Sequence, residues 1–129
     1  MARHVSATWD GAGQSATADI RGIRLSIGDD APPHGSVSAP LPTEVLLASV
    51  ASCFAIAMAF VAAKRDLVLP GLTVEVDGDY EGPRLSTIDI SVSADADDDL
   101  VERLIPAAER LCYVTNTLRR PPRITVTRR

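Results

Sequence analysis

The stretch PTEVLLASVASCFAIAMAFVAAKRD, residues 42–66, decides the fold. Between Glu44 and Lys64 lie 19 residues without a charge, with Cys53 near the middle. The run is long enough to cross a bilayer. A helix apolar on every side belongs either in lipid or in the middle of a protein. Three features favour the protein interior. Many of its positions are alanine or serine, which drive insertion weakly beside leucine. The chain holds no second segment of this kind. The remaining segments are amphipathic and need an apolar surface to pack on. Thr43 is the expected N-cap, with Glu44 in the first turn and Lys64 and Arg65 at the far end, where each charge suits the helix dipole. A chain of 129 residues is small to enclose such a helix completely, so a second subunit is expected to cover part of it.

Working outward, three short β-like runs precede the helix, at residues 4–9, 16–20 and 23–27. Gly11 and Gly13 punctuate the first gap and Arg21-Gly22 the second, which predicts an antiparallel meander. Residues 29–42, rich in Pro, Ser and Gly, read as a loop. After Pro70-Gly71, Leu72, Val74 and Val76 alternate with Thr73, Glu75 and Asp77. Ile88, Ile90 and Val92 then alternate with Asp89, Ser91 and Ser93. These are two half-buried strands joined around Glu81-Gly82-Pro83. Asp97-Asp98-Asp99 opens a second helix whose inner face is Leu100, Leu104, Ala108 and Leu111, and Pro106 is expected to kink or restart it. A short turn follows Cys112. Residues 123–127 read as a last strand with Ile124 and Val126 inward. Strands and helices segregated in this order predict an α+β fold in a single domain over residues 1–129.

The net charge of −4 argues against nucleic acid as the main partner, because phosphate binding needs a positive surface. Arg119, Arg120, Arg123, Arg128 and Arg129 form either a solvated edge or a basic stripe flanking an anionic substrate. The opening residues lack an apolar signal core, so a reducing cytoplasm is the expected compartment. His4 and His34 stand far apart without a second ligand cluster, so no metal and no cofactor is expected. The cysteines, Cys53 and Cys112, are 59 positions apart. Each reads as a small core residue or as half of a redox pair, and spacing alone does not show that they meet.

The motifs around them resemble those of the OsmC/Ohr family, the osmotically induced and organic-hydroperoxide-resistance proteins. PLPTEVLLASVASC resembles that family's Pro-x-Glu-Leu-Leu-like helix start running into small residues and a cysteine. LCYVTNTL, from Leu111 to Leu118, resembles its Cys-Pro-Val-Ser-Asn-Thr-Leu. Thr8-Trp9-Asp10-Gly11, the Gly-Leu-Thr-Val strand after the helix and Ile88-Asp89-Ile90-Ser91-Val92 agree in order, so the resemblance covers nearly the whole chain. It implies antiparallel sheets wrapped around a long buried central helix, in an intertwined homodimer. It also implies a thiol peroxidase acting on organic hydroperoxides. In that chemistry Cys53 becomes a sulfenic acid, Cys112 resolves it to a disulfide, and a dithiol reductant resets the pair. Leu46, Val50, Phe54 and Met58 would line an apolar pocket, although the same spacing describes plain packing.

The match departs from the pattern in three places. The best-known peroxidases of the family carry an arginine after the first Gly-rich turn, where this chain has Gly11-Ala12-Gly13-Gln14. They carry a glutamate ten residues before the first cysteine, where this chain has Thr43. The nearest carboxylate is Glu44, rotated by about 100° on a helix; it is either the activating acid or a first-turn stabiliser. Arg21 and Arg24 are the candidate cations. Tyr113 replaces the proline after the second cysteine. The alternative is a non-catalytic protein that binds an apolar small molecule in the dimer pocket. A third possibility is a chain that keeps only the fold.

Overall fold

A computed structural model describes residues 2–28 and 39–129. Most of the loop expected over residues 29–42, His34 included, lies outside the described residues. The chain divides into two compact units, Met1–Leu46 and Leu47–Arg129.

The N-terminal unit carries β1 (Ser6–Trp9), β2 (Ser15–Ile20) and β3 (Ile23–Gly28), paired antiparallel in the order β1-β2-β3. This is the meander that the glycine punctuation predicts. The β2–β3 turn places Arg21 and Gly22 both at positive φ, 54° and 87°, as a two-residue hairpin loop of the primed type requires. The Asp19 carboxylate accepts the Gly22 N–H at 2.8 Å and steadies that turn. In the β1–β2 turn, Asp10 accepts the Ser15 and Thr17 hydroxyls at 2.8 and 3.0 Å.

Helix α1 spans Pro42–Lys64. It begins two residues earlier than a Thr43 cap requires, because proline suits the first helical position: its missing N–H would be unpaired there anyway. Beyond it, β4 (Thr73–Glu81) and β5 (Arg84–Ser93) form an antiparallel hairpin with a register shift at Asp79/Tyr80. α2 (Asp98–Leu111) and α3 (Tyr113–Arg119) follow. Asp97 caps α2 by accepting the Asp99 N–H at 3.1 Å.

The core of the second unit is built from one face of α1 (Phe54, Ala57, Met58, Val61, Ala62) and one face of α2 (Val101, Leu104, Ala108), together with Cys112. Val74, Ile90 and Val92 of the hairpin pack on it. Helical spacing puts the α1 residues on a single stripe. The opposite stripe is open: Ile56 is 70% and Phe60 52% exposed.

Three expectations are corrected. The inner face of α2 runs through Val101 rather than Leu100, and Leu111 is exposed. α2 continues through Pro106 without restarting; one proline deletes a single hydrogen bond, which the packing of Leu104 and Ala108 outweighs. Residues 123–127 form no strand, and Ile124 and Val126 are 82% and 93% exposed rather than inward. Alternation makes a segment ready to pair, but pairing needs a partner edge.

Candidate functional site

Cys53 lies halfway along α1, partly exposed beside Phe54. Cys112 is the single residue between α2 and α3, and its place follows from what its backbone does. Its N–H donates to the Ala108 carbonyl at 3.0 Å and closes α2. Its own carbonyl accepts the Asn116 N–H at 3.1 Å and opens α3. Serving both helices, the residue is extended, with φ −76° and ψ 104°, and its side chain turns into the core, fully buried. Tyr113 takes the first helical position of α3. That is a place where proline is favoured but no amide partner is lost by its absence, and the Tyr113 ring is exposed.

The structure brings the two cysteines together. Cys53 packs on the core cluster that contains Cys112, and its side chain is among the groups acting on the Cys112 thiol. Burial is the largest influence on that thiol and raises its pKa. The Thr115 hydroxyl and backbone, the Cys53 side chain and the Val114 backbone together lower it by more, so Cys112 titrates below its ordinary value of 9.0. The Cys112 side chain makes no cap hydrogen bond on α3. No charged side chain is among these influences. Both thiols are free.

Glu44 is placed differently. Its Oε1 accepts the Leu41 N–H at 2.8 Å, the reach-back from the third helical position that ties down a helix start. Glu44 and Cys53 are nine positions apart on α1. Arg24 pairs with Asp19 at 3.9 Å, and Arg21 sits in the β2–β3 turn; both belong to the N-terminal unit. Of the four expected pocket residues, Met58 is core, Phe54 is core at the edge of a shallow groove, and Leu46 is partly exposed at the end of the N-terminal unit. Val50 lines an open groove of about 370 Å³. Leu85, Ile88 and Ile90 of the hairpin and Leu118 of α3 supply its other apolar walls, with Arg84 and Arg119 also on its lining. Arg119 is tied to Glu109 at 3.1 Å.

Sequence reasoning missed Thr115, which lines the same groove. It is the only buried polar side chain among the described residues, 7% exposed. The available signal was a hydroxyl three residues after Cys112, one helical turn along. Among the described residues, no group of three or more His, Cys, Asp or Glu is arranged to hold a metal.

The sequence pattern of the family described as OsmC-like protein matches residues 33–127. No curated protein matches the chain at the sequence level. Among solved structures, the OsmC-like protein of Mycoplasma pneumoniae is 16% identical, with a TM-score of 0.79 over 92% of this chain and 88% of that one. An organic hydroperoxide resistance protein OsmC from Legionella pneumophila is 19% identical, with a TM-score of 0.67 over 92% and 90%. The organic hydroperoxide resistance protein OhrB of Bacillus subtilis is 20% identical, with a TM-score of 0.59 over 91% and 90%. At these identities the likeness is one of fold.

Proposed function

Because this chain belongs to the OsmC-like protein family, we propose that it is a homodimeric thiol peroxidase that reduces organic hydroperoxides in the cytoplasm. The observation that carries the reading is the meeting of two free thiols, one partly exposed and one buried. Two of the structures it resembles bear the name organic hydroperoxide resistance protein.

The partly exposed thiol, Cys53, is the peroxidatic one. Its thiolate attacks the outer oxygen of the hydroperoxide. A sulfur–oxygen bond forms, the O–O bond breaks, and the leaving alkoxide takes up a proton as the alcohol. Cys53 is thereby oxidised by two electrons to a sulfenic acid. The Cys112 thiolate then attacks the Cys53 sulfur; the S–S bond forms and hydroxide leaves, protonated to water. A dithiol reductant returns both thiols by exchange and is itself oxidised to a disulfide. Burial suits Cys112 for the second step alone, since a resolving thiol meets only its neighbour. Glu44 supports the site through the start of α1, holding the helix that carries Cys53. Two unpaired cysteines that must be reset this way suit a reducing compartment.

The homodimer rests on the bare stripe of α1 at Ile56 and Phe60 and on the unpaired, alternating tail with Ile124 and Val126. A second copy buries the first and offers the second a strand edge to pair with. The groove beside Thr115 favours a second reading, a binding protein for an apolar small molecule.

Stopped-flow mixing of the reduced protein with an organic hydroperoxide separates the two. The peroxidase reading expects the loss of two thiols per chain. Cys53→Ser blocks that loss, and Cys112→Ser leaves a sulfenic acid that a dimedone probe captures. Thiols that survive excess hydroperoxide, together with an apolar molecule carried through purification, overturn the enzyme and favour the binder.

A further inference from the structure

Thr115 is buried, and its hydroxyl donates to the Cys112 carbonyl at 3.3 Å. A hydroxyl has one hydrogen to give. The Cys112 carbonyl holds it in the structure, and the Cys112 sulfur, on which the same side chain acts, is a second acceptor once ionised. The carbonyl does not depend on the hydroxyl, because it also accepts the Asn116 N–H at 3.1 Å. The proton is therefore free to swing to sulfur without orphaning a buried group, whereas a thiolate with no surface of its own needs every donor within reach. We propose that Thr115 is a positioning residue for disulfide formation: its hydroxyl turns from the Cys112 carbonyl to the Cys112 sulfur as that thiol ionises, and holds the anion that attacks oxidised Cys53. The role is distinct from any in peroxide reduction itself, and it rests on the thiol-peroxidase reading.

The surroundings leave this task to Thr115. From α1 the group facing Cys112 is Cys53, and the rest of that core face is apolar: Phe54, Ala57 and Met58. From α2 the core residues are Leu104 and Ala108. On α3 the nearest charge in sequence to Thr115 is Arg119, and it is paired with Glu109 of α2 at 3.1 Å. From the hairpin, Val74, Ile90 and Val92 face this core. Among the described residues, no Lys, Arg, His or carboxylate acts on the Cys112 thiol, so uncharged donors carry its stabilisation, and Thr115 supplies both a side-chain and a backbone contact.

The test follows disulfide formation, by quenched-flow mass spectrometry, after oxidation of reduced protein with an organic hydroperoxide. Thr115→Val keeps the side-chain shape and removes the hydroxyl. Losing one hydrogen bond to a charged group costs roughly tenfold in thiolate at neutral pH, partly offset by the greater nucleophilicity of a less acidic thiol, so disulfide formation slows about three- to fourfold. The pH profile of that phase moves upward, and the sulfenic acid on Cys53 accumulates. Thr115→Ser restores both rate and profile. Thr115→Ala, which removes the same hydroxyl without a branched side chain, reads the same quantity where valine unsettles the helix. Disulfide formation at the wild-type rate with an unshifted profile overturns the proposal. A second readout needs no turnover: ultraviolet titration of the Cys112 thiolate in Cys53→Ser, with and without Thr115→Val, should show the valine titrating at higher pH. Identical titrations overturn the proposal. If the wild-type chain consumes no hydroperoxide, the peroxidase reading fails, while the titration still decides the part played by Thr115.

Discussion

Replacing Ile56 and Phe60 together by alanine strips the bare face of α1 and leaves its buried face intact. Ile56 is 70% exposed in the single chain and Phe60 52%. Full burial of such a side chain stabilises by about 1.5–3 kcal/mol, so the exposed fractions hold about 1–2 kcal/mol each. In a symmetric dimer each residue counts twice, and the double substitution removes roughly 4–8 kcal/mol of association, or about a thousand- to several-hundred-thousandfold in Kd. Folding of the protomer is largely spared, because substituting exposed side chains shifts stability by only about 0.5 kcal/mol. The contact of Lys64 Nζ with the Phe60 ring, 5.3 Å from its centroid, is lost as well; at an exposed site it adds no more than about 1 kcal/mol. Sedimentation velocity over a concentration series, alongside urea melts, measures both quantities. The wild type is expected as a dimer at micromolar concentration and the variant as a folded monomer. A wild type that sediments as a monomer throughout, or a variant with the wild-type Kd, refutes the assignment of this face to a second copy.

The Cys112 thiol titrates below its ordinary 9.0 in the folded chain, so it contributes stability that is fully present above about pH 9 and is lost as pH falls through the folded midpoint. Urea melts of reduced wild type against Cys112→Ser should show a stability gap that widens toward alkaline pH and narrows toward neutral. A gap that widens as pH falls contradicts the sign. Glu44→Ala removes the acceptor of the Leu41 N–H and is expected to cost about 1 kcal/mol, as the loss of a cap does. An unchanged urea midpoint would show that the cap is idle. A fall in thiol oxidation rate far beyond that loss of stability would place the Glu44 carboxylate in the chemistry itself.

Much of the architecture was legible from local pattern. The alternation of Val74 and Val76 with Glu75 and Asp77, the glycines at the turns and the acidic start of α2 each act over a few residues, and each element formed where the pattern placed it. The departures occur where a partner decides. Alternation at Ile124 and Val126 marks a segment ready to pair, but no edge within the described residues takes it up. A proline at 106 removes one amide, and tertiary packing outweighs the loss. The choice of Val101 over Leu100 for the inner face depends on how α2 is rotated against α1, which one helix viewed alone does not contain.

The site divides along the same line. The amino-acid sequence by itself determined that an uncharged helix carries Cys53, that Cys112 stands at the end of another, and that both lie in motifs of a thiol-bearing family. It also determined that the family's usual arginine and glutamate are missing from their places. Only the tertiary structure decided that the two thiols meet and that Cys112 is fully buried. The reason is physical: periodicity, capping and the donors of Val114 and Thr115 are set by neighbours along the chain, whereas the burial of Cys112 and its meeting with Cys53 are set by neighbours in space.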